Sequence, residues 1–298
     1  MTGVRGSGIN WVKGHGTEND FVLLLDPDGH LDLPRELVQA VCDRRAGVGG
    51  DGVLRVVRSA VDPDGAAMAD DAEWFMDYRN ADGEASEMCG NGVRVFARYL
   101  LDAGLVAPGP LQVATRDGVK LVRFDADGGI TVDMGAASLP GPADVTVGVG
   151  RQTWPATSVS VGNPHAVVFV DDVAEAGDLR SMPYVGPDGA FPDGVNVEFV
   201  SDLGGRQLAM RVYERGVGET RSCGTGACAA AAAAAGRVEG GPPLVYAVDV
   251  LGGRLTVTVR PDGHVELTGP AVLVASGELL PQWLDSVAPT ACARTPGG

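Results

Sequence analysis

Apolar residues come in short blocks along this chain, divided by turns rich in glycine, aspartate and asparagine. Phe21-Val22-Leu23-Leu24-Leu25 is an unbroken apolar run, the pattern of a buried strand, and it follows the loop Lys13 to Asp20. Leu33 to Arg44 predicts a short helix with Pro34 in its first turn. Strands are predicted at Val53–Val57, Trp74–Tyr78, Leu111–Thr115, Lys120–Phe124 and Ile130–Met134, separated by a glycine loop at 46–52 and by Asn-Ala-Asp-Gly, Asp-Gly and Gly-Gly turns. Two places break the strand pattern. Met88-Cys89-Gly90-Asn91-Gly92 leads into the apolar run Val93–Leu101, and Ser222-Cys223-Gly224-Thr225-Gly226 leads into Ala227–Ala235. Each reads as a helix start whose first amides are unobstructed by side chains.

The two Cys-Gly-X-Gly segments belong to a larger repeat. Cys89 and Cys223, Gly118 and Gly252, Gly135 and Gly269, and Lys120 and Arg254 are each 134 positions apart. A constant offset over several landmarks at this length predicts duplicated domains. The expected architecture is α/β of the α+β kind: two homologous domains about a pseudo-twofold axis, with the site in the cleft between them. The expected boundaries are 1–134 plus 274–298 for the first domain and 135–273 for the second, with disorder after about residue 287.

Composition narrows the function. With 298 residues, 45% apolar residues and 21% charged, the chain is globular in character. A net charge of −16 without a Lys/Arg cluster argues against nucleic-acid or anionic-membrane partners. No apolar stretch approaches a membrane span, no signal peptide is read, and five cysteines at irregular spacing point to a reducing cytoplasm.

The two helix starts supply the chemistry. Helix N-termini attract anions, and a cysteine placed there is expected to have a lowered pKa. Two such thiols on opposite faces of one carbon could remove and return a proton, inverting the centre. Amides aimed at an adjacent carboxylate would carry the charge that develops on it, so neither metal nor pyridoxal phosphate is required, and no metal cluster or dinucleotide fingerprint is read.

Taken together, Lys13-Gly14-His15-Gly16-Thr17-Glu18-Asn19-Asp20-Phe21, Gly47 to Gly52, Arg79 to Gly83, Glu87 to Gly92, Gly162-Asn163-Pro164-His165, Pro192 to Val197 and Glu214 to Thr220 through Cys223 to Ala227 resemble the diaminopimelate epimerase family. The resemblance covers about Lys13 to Glu278. It implies β-structure wrapped around a central helix in each domain, and a cofactor-free interconversion of LL- and meso-diaminopimelate feeding lysine and peptidoglycan synthesis. It further implies that Cys89 and Cys223 are the acid–base pair, and that His165 and Glu214 tune them. Gly90, Asn91, Gly224 and Thr225 would cradle the reacting carboxylate. Asn19, Asn80, Asn163, Asn196, Glu214 and Arg215 would hold the rest of the substrate, Arg215 through its bidentate fork. A homodimer is expected on the same ground. The family commonly has glycine where Glu18 stands, and glutamine at Gly52 in some members.

Two rival functions stand beside this one: racemisation of another amino acid of the histidine or proline type, and a dithiol redox protein in which Cys89 and Cys223 pair. Cys228, about 140° round a helix from Cys223, reads as a core residue. Cys42 and Cys292 are given no role, and His15 reads equally as a loop hydrogen-bonder. The alanine run 229–235 predicts a helix packed closely inside a sheet.

Overall fold

A computed structural model describes residues 8–139, 144–238, 241 and 243–288. The described chain groups into two compact units, one holding the residues up to Gly16, Asp20–Phe124 and those from Ala271 onward, the other Thr17–Asn19 and Asp125–Pro270. The fold is mixed α+β and mostly strand. Cys292 and the tail at 289–298 lie outside the described residues. Ala288, expected to be disordered, is packed in the core of the first unit.

The first unit carries β1 (Ile9–Gly16), β2 (Asn19–Leu25, all but its first residue), α1 (Arg35–Cys42), β3 (Gly52–Arg58), β4 (Trp74–Asn80), α2 (Gly90–Asp102), β5 (Leu111–Thr115) and β6 (Gly118–Phe124). In the second unit follow β7 (Ile130–Ala136), β8 (Thr146–Val149), β9 (Gln152–Ser160), β10 (Pro164–Phe169), β11 (Tyr184–Gly186), β12 (Asn196–Asp202), β13 (Gln207–Glu214), β14 (Gly218–Glu219), α3 (Gly224–Ala235), β15 (Leu244–Val250), β16 (Gly253–Val259) and β17 (His264–Gly269). β18 (Val272–Leu279) and α4 (Pro281–Val287) return to the first unit, where β18 runs antiparallel to β1.

The apolar run of β2 is explained by burial on both faces, which removes the alternation of a half-exposed strand. Phe21 approaches the first turn of α2 beside Gly92, whereas Val22 and Leu24 pack outward with Leu37, Val38 and Val41 of α1 and with Leu284 of α4. α2 is the centre of this unit, in contact with β1, β3, β4, β5 and β18. In the second unit α3 is ringed by β9, β10, β12, β13, β15, β16 and β17. A helix enclosed on every side must be apolar all round, and the alanines also let the strands come close. The outer face of that sheet is covered by a second cluster, including Val145, Val147, Val168, Leu179 and Phe199.

The repeat is visible in the pairing. β2–β3 and β10–β12 are parallel, β3–β4 and β12–β13 antiparallel, β4–β5 and β13–β15 parallel, and β5–β6 and β15–β16 antiparallel. The 134-residue offset carries α2 onto α3 and β4 through β7 onto β13 and β15 through β17. β7 groups with the second unit, upstream of the boundary expected at 134, because it runs antiparallel to β17 with Thr131 opposite Thr268 and their hydroxyls 2.6 Å apart.

Ion pairs fasten the segments that flank the first helix start. Asp77, wholly buried on β4, accepts from Arg55 Nε at 2.9 Å, Arg79 Nε at 2.9 Å and Arg116 Nη2 at 2.6 Å, which holds the strand leading to Asn80. Asp20, beside Asn19, accepts from Arg44 at 2.7 and 2.9 Å and pairs with Lys13 at 2.7 Å. Burial alone would raise the Asp20 carboxyl, but the hydrogen bonds from Arg44 and Lys13 outweigh it and hold the pKa at about 2. The folded value lies below the unfolded one of about 3.9. Its stabilisation is therefore complete above about pH 4 and lost as pH falls toward 2. Discounted for the solvent reaching the exposed Arg44, the effect is about 1–2 kcal/mol. Unfolding free energies from urea titrations should fall further in the parent than in Asp20→Asn between pH 6 and 2.5, by about that amount.

Among the described residues no helix is long and apolar enough to cross a membrane.

Candidate active site

Cys89 and Cys223 are the N-cap residues of α2 and α3, both in extended backbone conformation. An N-cap side chain ordinarily supplies an oxygen to an amide of the first turn. Here sulfur takes that place: Cys89 Sγ accepts from Gly92 N at 3.5 Å and Cys223 Sγ from Gly226 N at 3.3 Å. The amides of Gly90 and Asn91 in one unit, and of Gly224 and Thr225 in the other, precede the first residue that can bond within its helix. Each unit thus presents a thiol beside amides suited to a carboxylate. Cys89 is half-buried and Cys223 buried.

In the first unit the Asn91 side chain is committed to structure. It is wholly buried, and its Oδ1 accepts from Arg94 Nη2 at 2.8 Å. Arg94, also fully buried, donates to the Gly90 carbonyl at 3.2 Å and so braces the turn behind Cys89. Asn80 ends β4 at a tight turn, its carbonyl accepting from Gly83 N at 2.9 Å.

In the second unit most of the expected residues are linked. His165 is fully buried, with Nδ1 2.7 Å from Glu198 Oε1 and Nε2 2.8 Å from Asn163 Oδ1. Asn163 Nδ2 reaches Thr225 Oγ1 at 3.4 Å, and Thr225 Oγ1 lies 3.5 Å from Cys223 Sγ. Glu214 accepts a hydrogen bond from the Thr220 hydroxyl. Asn196 and Arg215 pair with each other, Arg215 N donating to Asn196 Oδ1 at 2.9 Å, while Arg215 Nη1 donates to the Asp193 carbonyl at 2.7 Å.

The lowered pKa expected of a helix-start cysteine does not hold for Cys223. Burial pushes this thiol well above its ordinary value, and the negative charge of Glu214 adds to that. The hydrogen bonds from Thr225 and Gly226 oppose the rise without overcoming it. Enclosure by a complete ring of strands therefore outweighs the helix terminus. Cys42, buried at the end of α1, is likewise pushed up by burial to about 12.

Asn19 follows two residues in the left-handed region, Thr17 at φ 50° and Glu18 at φ 63°. That backbone favours glycine, the residue that the resemblance leads one to expect at Glu18. Here the turn is held from outside. Thr17 Oγ1 and Ser222 Oγ are 2.6 Å apart, Glu18 is paired with Arg221, and Gly252 N donates to the Arg221 carbonyl at 2.8 Å. The turn bearing Asn19 and the approach to Cys223 are therefore one braced assembly.

Glu198, Arg94 and Ser222 were not singled out from the sequence. The available signal for the first two was a lone charge inside an apolar run, Val195–Val200 for Glu198 and Val93–Ala97 for Arg94. Among the described residues no three His, Cys, Asp or Glu side chains gather as metal ligands would.

Gly226 is a close approach. A Cβ there would lie 2.8 Å from Glu198 Oε1 and 3.3 Å from both Cβ and Sγ of Cys223. Alanine is the better helix former by about 1 kcal/mol, yet Gly226→Ala should lower catalytic rate about a hundredfold by displacing the sulfur. Steady-state kinetics and a far-ultraviolet spectrum together would check this.

A family model described as diaminopimelate epimerase matches residues 11–140 and 157–274. A diaminopimelate epimerase from Streptomyces coelicolor is 61% identical over 284 residues, covering 94% of this chain and 98% of the relative. One from Thermobifida fusca is 51% identical over 275 residues, covering 91% and 98%. Among solved structures, a hydroxyproline epimerase from Agrobacterium vitis aligns with a TM-score of 0.65 at 17% identity, covering 99% of this chain and 100% of the other. A Bacillus anthracis phenazine biosynthesis protein of the PhzF family aligns at 0.66 with 19% identity, covering 92% and 99%. At such identities these two speak for the fold alone.

Proposed function

The chain belongs to the diaminopimelate epimerase family, and from that premise we propose that it interconverts LL- and meso-diaminopimelate with Cys89 and Cys223 as its proton-transferring pair. The observation that carries the assignment of roles is the matched N-cap geometry. Each sulfur accepts the third amide after it, and each has the preceding amides of its helix beside it.

The chemistry follows from those positions. A Cα–H is a very weak acid, and its removal loads charge onto the adjoining carboxylate. Helix-start amides at Gly90 and Asn91, or Gly224 and Thr225, meet that charge without reorganising. One sulfur must be thiolate to take the proton, and the other must be thiol to return one to the opposite face. Burial and the Glu214 charge favour the thiol form of Cys223, so Cys223 is the donor and Cys89 takes the part of the base. The reverse reaction exchanges the parts. His165 and Glu214 tune the pair. Asn19, Asn80, Asn163, Asn196 and Arg215 hold the amine and carboxylate groups, Arg215 taking the distal carboxylate.

A cytoplasmic homodimer is part of the same proposal. Four free cysteines among the described residues suit a reducing compartment, and light scattering in solution would read the dimer. The substrate is tested by incubation with LL-diaminopimelate, histidine, proline and hydroxyproline in turn, followed by chiral chromatography. Inversion of diaminopimelate alone is expected. Turnover of an imino acid or histidine in its place would overturn the substrate.

A further inference from the structure

Resting on the role given to Cys223, we propose that Glu198 is a positioning residue for this thiol: it keeps a proton on His165 Nε2, which orients Asn163 and turns the Thr225 hydroxyl proton onto the Cys223 sulfur.

The argument starts from hydrogen-bond polarity. Asn163 offers its oxygen to His165 Nε2 at 2.8 Å and its nitrogen to Thr225 Oγ1 at 3.4 Å. An amide oxygen only accepts, so Nε2 must carry a proton. Thr225 Oγ1 then accepts a hydrogen bond from Asn163, and its own proton is left for Cys223 Sγ at 3.5 Å. At the other end Nδ1 faces Glu198 Oε1 at 2.7 Å. With Nε2 protonated, this contact needs one further proton, held on Nδ1 or on Oε1. Either way the His165–Glu198 pair has no net charge.

Burial favours that state. Both side chains are fully enclosed, and Glu198 Oε2 has no hydrogen-bond partner among the described residues. A bare carboxylate beside a neutral imidazole would leave an uncompensated charge in this core, which is costly. A carboxylate sharing a proton with imidazole is not in that position. If the amide were turned the other way, Nε2 would be bare, Glu198 would stand as an unneutralised anion, and Thr225 would donate to Asn163. The sulfur would then face an oxygen lone pair.

The consequence is a donor chain of fixed direction, Glu198–His165–Asn163–Thr225–Cys223. It delivers a second donor to the sulfur beside the Gly226 amide, and it does so when Cys223 must hold negative charge, in the half of the reaction where it acts as base. Glutamine at 198 can donate from its amide to Nδ1 and preserve the direction. Alanine cannot.

The test uses the full chain with histidine labelled in nitrogen-15. Only four histidines are present, and His165→Gln identifies the signals of interest. The expected spectrum shows a proton on Nε2 of His165 in the parent and in Glu198→Gln, and loss of that fixed tautomer in Glu198→Ala. In kinetics, Glu198→Ala and Thr225→Val each lower kcat about tenfold with KM within about twofold, and Glu198→Gln restores most of the loss. Thr225→Val leaves Glu198 in place and decides the matter even if Glu198→Ala folds poorly. A bare Nε2 in the parent overturns the proposal, as does an unchanged kcat in Thr225→Val. Glu198→Gln as impaired as Glu198→Ala also overturns it, since charge alone would then matter. Failure of the assigned role of Cys223 is read separately, from activity that survives Cys223→Ser.

Discussion

Cys89→Ser and Cys223→Ser each lower kcat by about a thousandfold or more, in both directions of the reaction, while the protein stays folded. The loss follows from chemistry, because a serine hydroxyl is far too weak an acid to supply the anion that removes a Cα proton near neutral pH. The survival of the fold follows from capping. Both cysteines are N-caps whose sulfur accepts from the first turn at 3.3 to 3.5 Å, and serine is among the favoured caps. Melting temperatures equal to the parent's or slightly higher are therefore expected. A protein using these residues only to cap helices would gain or break even on the exchange. Steady-state rates with LL- and meso-diaminopimelate, beside thermal melts, separate the two accounts, and a variant with both normal melting and normal kcat would remove that cysteine from the mechanism.

Gly252→Ala should be the most damaging change away from the thiols. A Cβ at this position would lie 1.8 Å from the Thr17 carbonyl oxygen, and 3.2 Å from the Arg221 carbonyl oxygen. Both neighbours are backbone, so no rotamer change relieves the contact, and the turn at 17–19 must move bodily. That turn is already held at positive φ by Thr17–Ser222 and Glu18–Arg221, and the Gly252 amide fixes the Arg221 carbonyl beside it. Displacing it sacrifices those contacts and is expected to cost about 3 kcal/mol or more of stability. Asn19 is carried by the same turn, so KM should rise along with the loss of stability. Denaturant unfolding and the KM for LL-diaminopimelate test the two parts, and an alanine variant with parental stability would show that the turn is not braced there.

Much of this molecule is legible in its residues, and the pattern of what is not has physical reasons. The helix starts at Cys89 and Cys223 are written locally, since Gly-X-Gly before an apolar run leaves few other conformations. The duplication is also local, because equal turn spacings reproduce equal strands. The raised thiol of Cys223 was not legible. It depends on enclosure by strands from all over the second unit and on the charge of Glu214. Thr17 with Ser222 was missed for a similar reason: two hydroxyls 205 positions apart leave no periodic trace. Glu18 shows the opposite case. It stands out as a departure from glycine, and its backbone geometry and its ion pair with Arg221 make it part of a structural brace.

The exchange of a proton between two thiols is tested most directly by epimerising LL-diaminopimelate in D₂O to low conversion and reading deuterium at Cα in both recovered substrate and product. Two acid–base groups predict deuterium in the meso product at the inverted centre, with recovered LL-diaminopimelate nearly unlabelled. Equal labelling of substrate and product from the first time points, as a single exchanging base would give, or inversion with no deuterium at all, would contradict the account.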